Sequence, residues 1–134
     1  MSGWFALGQN LVLCIDDRAL TLEVRKLVLE HDGYEVLTAS DGEHGLQLFT
    51  SHPVDLVVLD YDMGDTKGAT VAQRMRVVKP EVPLIMVSGH FEAPRDAVDF
   101  IDAYVNKGEN PRVLLQRVRQ LLARKSAGER GTRA

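Results

Sequence analysis

Short runs of apolar residues alternate along this chain with longer stretches in which apolar residues recur every three or four positions. Short continuous runs are typical of strands buried on both faces, and the longer period is typical of helices with one apolar face. The pattern predicts five strands, at residues 11–15, 34–39, 54–59, 84–87 and 103–105. It predicts clear helices between and after them, at residues 18–31, 41–51, 66–78 and 110–124.

The segment between the last two strands has a weaker pattern. Residues 91–100 contain Pro94 and two aspartates, so we predict a short or irregular fourth helix there. Strands that alternate with helices indicate an α/β fold. We therefore predict a doubly wound, five-stranded parallel sheet flanked by helices, with the nearly all-apolar strand at 54–59 in a central position.

The spacing of apolar residues also predicts which side of a helix faces the sheet. In the first helix the residues at helical spacing are Leu20, Val24, Leu27, Val28 and His31. In the last helix they are Leu114, Val118, Leu121 and Leu122. The last helix also has a strong start signal, because Asn110 can cap it and Pro111 suits its first position. We expect both apolar sets to pack against the sheet.

Length and composition fit one small domain. The chain has 134 residues, and we assign 10–124 to the domain, 1–9 to an N-terminal extension with Trp4 and Phe5, and 125–134 to a flexible polar tail. The single cysteine, Cys14, gives no disulfide framework, which favours the reducing cytoplasm. The net charge of −3 gives no general attraction to nucleic acid, and no apolar run is long enough to span a membrane.

Polar and charged residues follow four of the five predicted strands. Asp16 and Asp17 come after the first strand, Asp60 after the third, Ser88 after the fourth and Lys107 after the fifth. The carboxyl ends of parallel strands form the ligand-binding edge of such a sheet, so we expect these side chains to converge. Neighbouring carboxylates disfavour each other's ionisation unless a cation offsets their charge, and Mg²⁺ prefers oxygen ligands. The sequence therefore predicts a Mg²⁺ site.

Such a site suits the transfer of a phosphoryl group to a carboxylate. An ionised aspartate beside Mg²⁺ can attack phosphorus and form an acyl phosphate. The negative charge on the phosphoryl oxygens would then be met by the cation, by Lys107 and by the hydroxyl of Ser88. Each of these residue types is common alone as a turn former, a helix cap or a solvated side chain, so the prediction depends on their joint placement.

Four segments together resemble the bacterial response-regulator receiver domain of two-component signalling. They are Ile15-Asp16-Asp17, Val58-Leu59-Asp60-Tyr61-Asp62-Met63, Val87-Ser88-Gly89 and Tyr104-Val105-Asn106-Lys107. The resemblance covers roughly residues 10–124 and implies the flavodoxin-like receiver architecture. Because only a short tail follows the last helix, we expect a single-domain receiver that acts through a partner protein or as a phosphate relay.

The resemblance implies a metal-dependent phospho-acceptor. Asp60 corresponds to the residue that is phosphorylated. Asp16 and Asp17 correspond to the acidic pair that binds Mg²⁺, or Mn²⁺ in its place, with Asp17 as the direct ligand. Asp62 corresponds to the residue whose backbone carbonyl completes the metal site. A domain of this kind catalyses only its own phosphorylation and dephosphorylation.

The resemblance also implies a switch and a set of partners. Ser88 corresponds to the hydroxyl that follows the phosphoryl group, Lys107 to the lysine beside it, and Tyr104 to the aromatic residue that then turns inward. The implied donor is a sensor histidine kinase or a histidine phosphotransfer protein. The implied target is a protein that binds the surface of helix four, strand five and helix five. No direct nucleic-acid contact or membrane insertion is implied, and we expect a monomer or weak homodimer.

The chain departs from the family pattern in three places. Gly64 and Gly108 stand where the family usually has proline, after the methionine of the acceptor loop and after the lysine. The segment between the serine and the lysine is a few residues shorter than usual. Asp62 and His90 also flank the acceptor at positions that tune dephosphorylation in the family.

Alternative functions stay open at this point. A receiver-like module could bind partners without taking phosphate. The Asp60-Tyr61-Asp62 segment also resembles the acidic motif of haloacid-dehalogenase-type phosphatases, although that motif normally opens its domain. A flavin-binding function rests on fold analogy alone, and Asp16 and Asp17 would repel the flavin's phosphate.

Overall fold

The computed structural model describes residues 9–64 and 66–133, with side chains as far as Lys125. Trp4 and Phe5, whose role the sequence leaves open, lie outside the described residues. No helix in the described part of the chain has the length and apolar character needed to cross a membrane.

Seven strands occur in the described chain. They are β1 (Leu11–Ile15), β2 (Glu35–Ala39), β3 (Leu56–Asp60), β4 (Asp62–Met63), β5 (Thr66–Lys67), β6 (Leu84–Ser88) and β7 (Ala103–Asn106). Five of them form a parallel sheet in the order β2-β1-β3-β6-β7, and β4 and β5 form a separate antiparallel hairpin. Every residue of β3 is buried, which confirms the predicted central strand.

Four α-helices accompany the sheet in the described chain. They are α1 (Ala19–His31), α2 (Gly42–Ser51), α3 (Gly68–Val78) and α4 (Pro111–Arg133). Two apolar clusters, built from alternate residues of the same strands, lie on opposite faces of the sheet under these helices. This arrangement confirms the predicted doubly wound α/β fold, because a parallel sheet must be covered on both faces.

The predicted fourth helix is reduced to a 3-10 turn, Val98–Phe100. The carbonyl of Pro94 accepts hydrogen bonds from the backbone N–H groups of Ala97 and Val98, both at 3.0 Å, so the chain turns there without continuing as a helix. Pro94 itself offers no backbone donor. Arg76 of α3 secures the segment by donating to the carbonyl of Phe100 at 2.9 Å.

The first helix buries a different side from the one that the apolar spacing predicted. Three residues of the predicted inner face are largely exposed: Leu20 at 71%, Val24 at 51% and Leu27 at 67%. The buried apolar residues are Leu22 and Leu29. The prediction was wrong because α1 carries apolar residues on more than one side, and only packing against the sheet selects between them. In the last helix all four predicted residues are buried, as expected.

Two helix boundaries differ from the predicted ones. The residues Thr66 and Lys67, predicted to begin a helix, form strand β5, and α3 begins at Gly68. The last helix continues beyond the predicted end near Arg124 to Arg133. The flexibility of the tail at 125–134 stays a prediction.

An ion pair joins α4 to the turn before β2. The guanidinium of Arg119 donates to both carboxylate oxygens of Asp32, at 2.6 and 2.9 Å, and lowers the pKa of Asp32 below its ordinary value of 3.8. A carboxyl whose pKa is lower in the folded state stabilises the fold above its unfolded pKa, and this contribution is lost as the pH falls through the folded value.

We therefore expect Arg119→Met to be slightly less stable than the original protein at neutral pH. The difference should shrink as the pH falls below 3.8, the ordinary value for Asp32. Urea unfolding of both proteins over a series of pH values measures this difference in the free energy of unfolding. A difference that stays constant into acid would show that the arginine acts through packing of its stem instead of through the ion pair.

Candidate functional site

The carboxyl ends of β1 and β3 bring three aspartates together. These strands are neighbours, with Ile15 paired to Leu59, so the residues that follow them meet at one edge of the sheet. One carboxylate oxygen each from Asp16, Asp17 and Asp60 lies within 4.8 Å of the other two. Asp16 and Asp60 are fully buried and Asp17 is exposed. The predicted convergence of the three acids is therefore present.

Asp60 has one satisfied and one unsatisfied carboxylate oxygen. Lys107 Nζ lies 3.0 Å from Oδ1, and the backbone N–H of Asp62 donates to the same oxygen at 3.3 Å. Oδ2 is buried and has no hydrogen-bond partner among the described residues. Burial raises the pKa of Asp60, and the hydrogen bond from Lys107 offsets this only in part. A bound cation would supply the missing compensation for the ionised form.

Asp16 is held on both sides by protein groups. Its Oδ1 accepts a hydrogen bond from the backbone N–H of Arg18 at 2.9 Å, and its Oδ2 accepts one from Arg25 Nη1 at 3.4 Å. Arg25 was missed by the sequence analysis, because no motif marks it and the predicted inner face of α1 excluded it. Asp17, by contrast, faces solvent and is accessible to an incoming ion.

Ser88 lies at the end of β6 and joins the loops that flank Asp60. Its hydroxyl donates to Asp62 Oδ2 at 3.3 Å and accepts from the backbone N–H of His90 at 3.2 Å. His90 Nε2 in turn lies 3.7 Å from Asp62 Oδ1. The imidazole ring of His90 packs edge-on against the ring of Tyr61, with 5.6 Å between the ring centroids. The loops after β3 and β6 are therefore joined by hydrogen bonds and side-chain contacts beside Asp60.

Tyr104 lies outside the acid pocket but is connected to it through His90. The Tyr104 hydroxyl donates to the backbone carbonyl of His90, and Asn106 Nδ2 donates to the same carbonyl at 2.8 Å. The backbone N–H of Lys107 donates to the carbonyl of Ser88 at 2.8 Å. A displacement of the loop after Ser88 would therefore disturb the hydrogen bond between Tyr104 and His90.

Two glycines shape the backbone around Asp60. Gly64 has φ of 63°, in the hairpin between β4 and β5. Proline cannot adopt this conformation, because its ring holds φ near −65°. At Gly68 an added Cβ would lie only 2.6 Å from the carbonyl oxygen of Asp60. The loop after Asp60 thus depends on a glycine turn and on close contact with the start of α3.

The donor set fits a small divalent cation. It offers three carboxylates, two of them buried, and one buried oxygen with no partner among the described residues. Oxygen-only ligands suit Mg²⁺ or Mn²⁺ better than softer metals. A bound cation would be held by Asp16, Asp17 and Asp60. The contribution of the Asp62 carbonyl stays a prediction.

Comparison with known proteins places this geometry in a family. A family model described as the response regulator receiver domain matches residues 12–119. This chain belongs to the response-regulator receiver family. Receiver domains act in two-component signalling, and their partners are histidine kinases and downstream effectors. They bind Mg²⁺ through acidic residues, and the carboxylate cluster found here is of that kind.

Individual relatives agree with this assignment. A probable transcriptional regulator, ycf27 of Cyanidium caldarium, is 33% identical over 123 residues, which cover 87% of this chain and 47% of that protein. This receiver thus spans about half the length of that relative.

Solved structures give the same result. The receiver domain protein from Methanospirillum hungatei has a TM-score of 0.84 at 27% identity, covering 90% of this chain and 99% of that one. The response regulator TrrA from Thermotoga maritima, in complex with Mg²⁺-BeF, has a TM-score of 0.80 at 32% identity. The match covers 84% of this chain and 99% of that one.

Proposed function

We propose that this receiver domain accepts a phosphoryl group on Asp60 in a Mg²⁺-dependent reaction and signals through a partner protein. The observation that supports the proposal is the buried Oδ2 of Asp60, which has no hydrogen-bond partner among the described residues and lies among two further carboxylates. An unpaired buried polar atom is costly. Such a cost is expected where a group is reserved for a ligand or a reaction.

The protein contributes to the transfer mainly by positioning the reacting groups and by compensating the negative charge of the phosphoryl oxygens. An oxygen of Asp60 attacks phosphorus as the bond from phosphorus to the donor's histidine nitrogen breaks. The electron pair of that bond stays on the departing imidazole. A bound Mg²⁺ would stabilise the negative charge on the phosphoryl oxygens. Lys107, already 3.0 Å from Asp60, would neutralise part of the same charge.

The switch is expected to begin at Ser88. Its hydroxyl now bonds to Asp62 and to the backbone of His90. A phosphoryl group on Asp60 would offer charged acceptor oxygens that compete with the Asp62 carboxylate for the Ser88 O–H. Phosphorylation should therefore draw the hydroxyl toward Asp60 and break the hydrogen bond that it accepts from the backbone N–H of His90. Since the carbonyl of His90 holds Tyr104, the change would reach β7.

We assign the output to a different surface from the predicted one, because the helix predicted between β6 and β7 is replaced in the described chain by the 3-10 turn Val98–Phe100. We assign the output to the loop after Ser88 and the adjoining β7. Phe91, next to His90, is 93% exposed and so is available as an apolar contact. A loop that loses its hydrogen bonds to Ser88 would present this ring differently to a target.

We assign the phosphoryl donor to the groove between α1 and α4. This groove has a volume of about 450 Å³ and reaches Lys107, which contacts the acceptor. Its walls include the exposed apolar residues Leu20 and Val24, and Arg18 adds positive charge. A donor helix with an apolar and acidic face would complement it, and its phosphohistidine would lie near Asp60.

Beryllofluoride, a mimic of the phosphoryl group, tests the proposal directly. With Mg²⁺ present it should bind and shift the backbone NMR signals of residues 88–91 and 104, and with EDTA instead of Mg²⁺ it should not. If beryllofluoride produces no Mg²⁺-dependent shifts, the domain is a phosphorylation-independent binding module.

A turnover assay separates the proposal from the phosphatase alternative. Acetyl phosphate should label the protein to a stoichiometric limit. Sustained hydrolysis of unrelated phosphate esters would instead favour an enzyme that uses Asp60 and Asp62 as nucleophile and general acid.

A further inference from the structure

Arg25 occupies a position on α1 where an apolar residue is expected. It lies three residues after Leu22 and four before Leu29, the two buried apolar residues of this helix. Residues at this spacing share one helix face. The Arg25 side chain is only 10% exposed and lines the groove between α1 and α4, so its positive charge is largely removed from solvent.

The charge of Arg25 has one partner. Among residues 9–64 and 66–125, the only ion pair or side-chain hydrogen bond of Arg25 is with Asp16, at 3.4 Å. A buried charge is stable only when it is paired, and Asp16 is itself fully buried. Each group therefore compensates the other when no metal is bound.

The acid cluster consequently carries less uncompensated charge than its three carboxylates suggest. Lys107 lies against Asp60 and Arg25 lies against Asp16, which leaves Asp17 without a cationic neighbour in the described ion pairs. An incoming divalent cation would meet this reduced negative charge and the repulsion of Arg25.

We propose that Arg25 acts through Asp16, for which it competes with Mg²⁺, and so lowers the affinity of the site for the metal. The inference rests on the Mg²⁺ site of the proposed function. The orientation of Asp16 does not depend on Arg25 alone, because the backbone N–H of Arg18 holds Oδ1 at 2.9 Å. Removing the guanidinium should therefore leave the ligand in place and remove the competing charge.

This competition has a consequence for stability as well as for affinity. Without Arg25, the buried carboxylate of Asp16 loses its counter-charge, so the metal-free protein should be less stable. Mg²⁺ then supplies compensation that the protein no longer provides. The stabilisation gained on adding Mg²⁺ should be larger in the variant than in the original protein.

Arg25→Met tests the proposal, because methionine keeps an unbranched apolar stem and removes the charge. We expect its dissociation constant for Mg²⁺ to be lower by about three- to tenfold, through loss of repulsion at short range. The measurement is urea unfolding at increasing Mg²⁺ against an EDTA baseline, from which linkage yields the constant. Arg25→Lys, which keeps the charge, should stay close to the original affinity.

Arg119→Met is the matched control. It also removes an arginine from an ion pair, with Asp32, but outside the acid cluster. It should lower stability without changing the affinity for Mg²⁺. If Arg25→Met does not fold in EDTA, Arg25→Gln provides a second neutral variant, with the same expected change in affinity.

The outcomes distinguish this inference from the proposed function. An unchanged or weaker affinity for Mg²⁺ in the neutral variants would overturn the role of Arg25. If Mg²⁺ stabilises neither the original protein nor any variant, the metal site of the proposed function fails, and the inference fails with it. If Arg119→Met changes the affinity as much as Arg25→Met, the effect is one of general stability.

Discussion

Asp60→Asn is expected to abolish labelling by radioactive acetyl phosphate in the presence of Mg²⁺, while the fold stays intact. An amide oxygen is not an adequate nucleophile, and a neutral side chain removes one of the three charges that would hold the metal. The loss should be complete, since no other carboxylate of the cluster has a lysine ammonium against it. Phosphopeptide mapping of the original protein should find the label on the peptide that contains Asp60.

The stability of the same variant gives a second readout. Burial raises the pKa of Asp60, so the folded state disfavours its ionised form. In EDTA, Asp60→Asn should therefore be at least as stable as the original protein. Stabilisation by Mg²⁺ should be lost, because the site has lost a ligand.

Asp62→Asn is the control for this experiment. Asp62 is exposed, and its proposed contribution to the metal site comes from the backbone, so labelling should persist. Its side chain bonds Ser88, so the lifetime of the label can change. Label that remains in Asp60→Asn, at whatever residue, would contradict the assignment of the acceptor.

Gly68→Ala is expected to cause the largest loss of stability among single methyl additions near the site. Its Cβ would lie 2.6 Å from the carbonyl oxygen of Asp60 and 2.7 Å from Tyr61 Cα. Both are backbone atoms, which cannot turn aside as a flexible side chain does. Overpacking of this kind typically costs about 1–3 kcal/mol. Urea unfolding measures the loss, and labelling should fall because the acceptor loop must shift.

Gly89→Ala is a matched glycine-to-alanine change in the loop after Ser88. An added Cβ there meets nothing within 4 Å, and Gly89 does not have a positive φ. Its free energy of unfolding should stay within about 0.5 kcal/mol of the original value. Equal stability of the two variants would mean that α3 can move away from the acceptor loop at little cost.

The strands and the acid cluster could be predicted because both depend on which residues follow one another along a short stretch of the chain. A strand buried on both faces must be apolar throughout, as β3 is. The residue after such a strand must then lie at the carboxyl edge of the sheet. The loss of regular helix around Pro94 could be predicted for a similar reason, because a proline removes a backbone hydrogen-bond donor at whatever position it occupies.

The buried side of α1 could not be predicted in this way. Leu20, Val24 and Leu27 have the spacing of an inner face, yet they are largely exposed, and Arg25 lies inward. Helical spacing shows which residues share a face but not which face meets the sheet. The contact of Tyr104 with His90 also could not be predicted, because it joins a residue of β7 to the loop after β6 and so depends on how the two segments pack.

The amino-acid sequence alone thus determined the parallel α/β sheet, its central strand and the acidic edge of this receiver, because apolar runs and the residues that end them are encoded locally. Only the tertiary structure decided that Arg25 neutralises Asp16 and that Oδ2 of Asp60 has no partner among the described residues. Those facts depend on how distant segments pack, and the cost of burying a charge is set by what surrounds it.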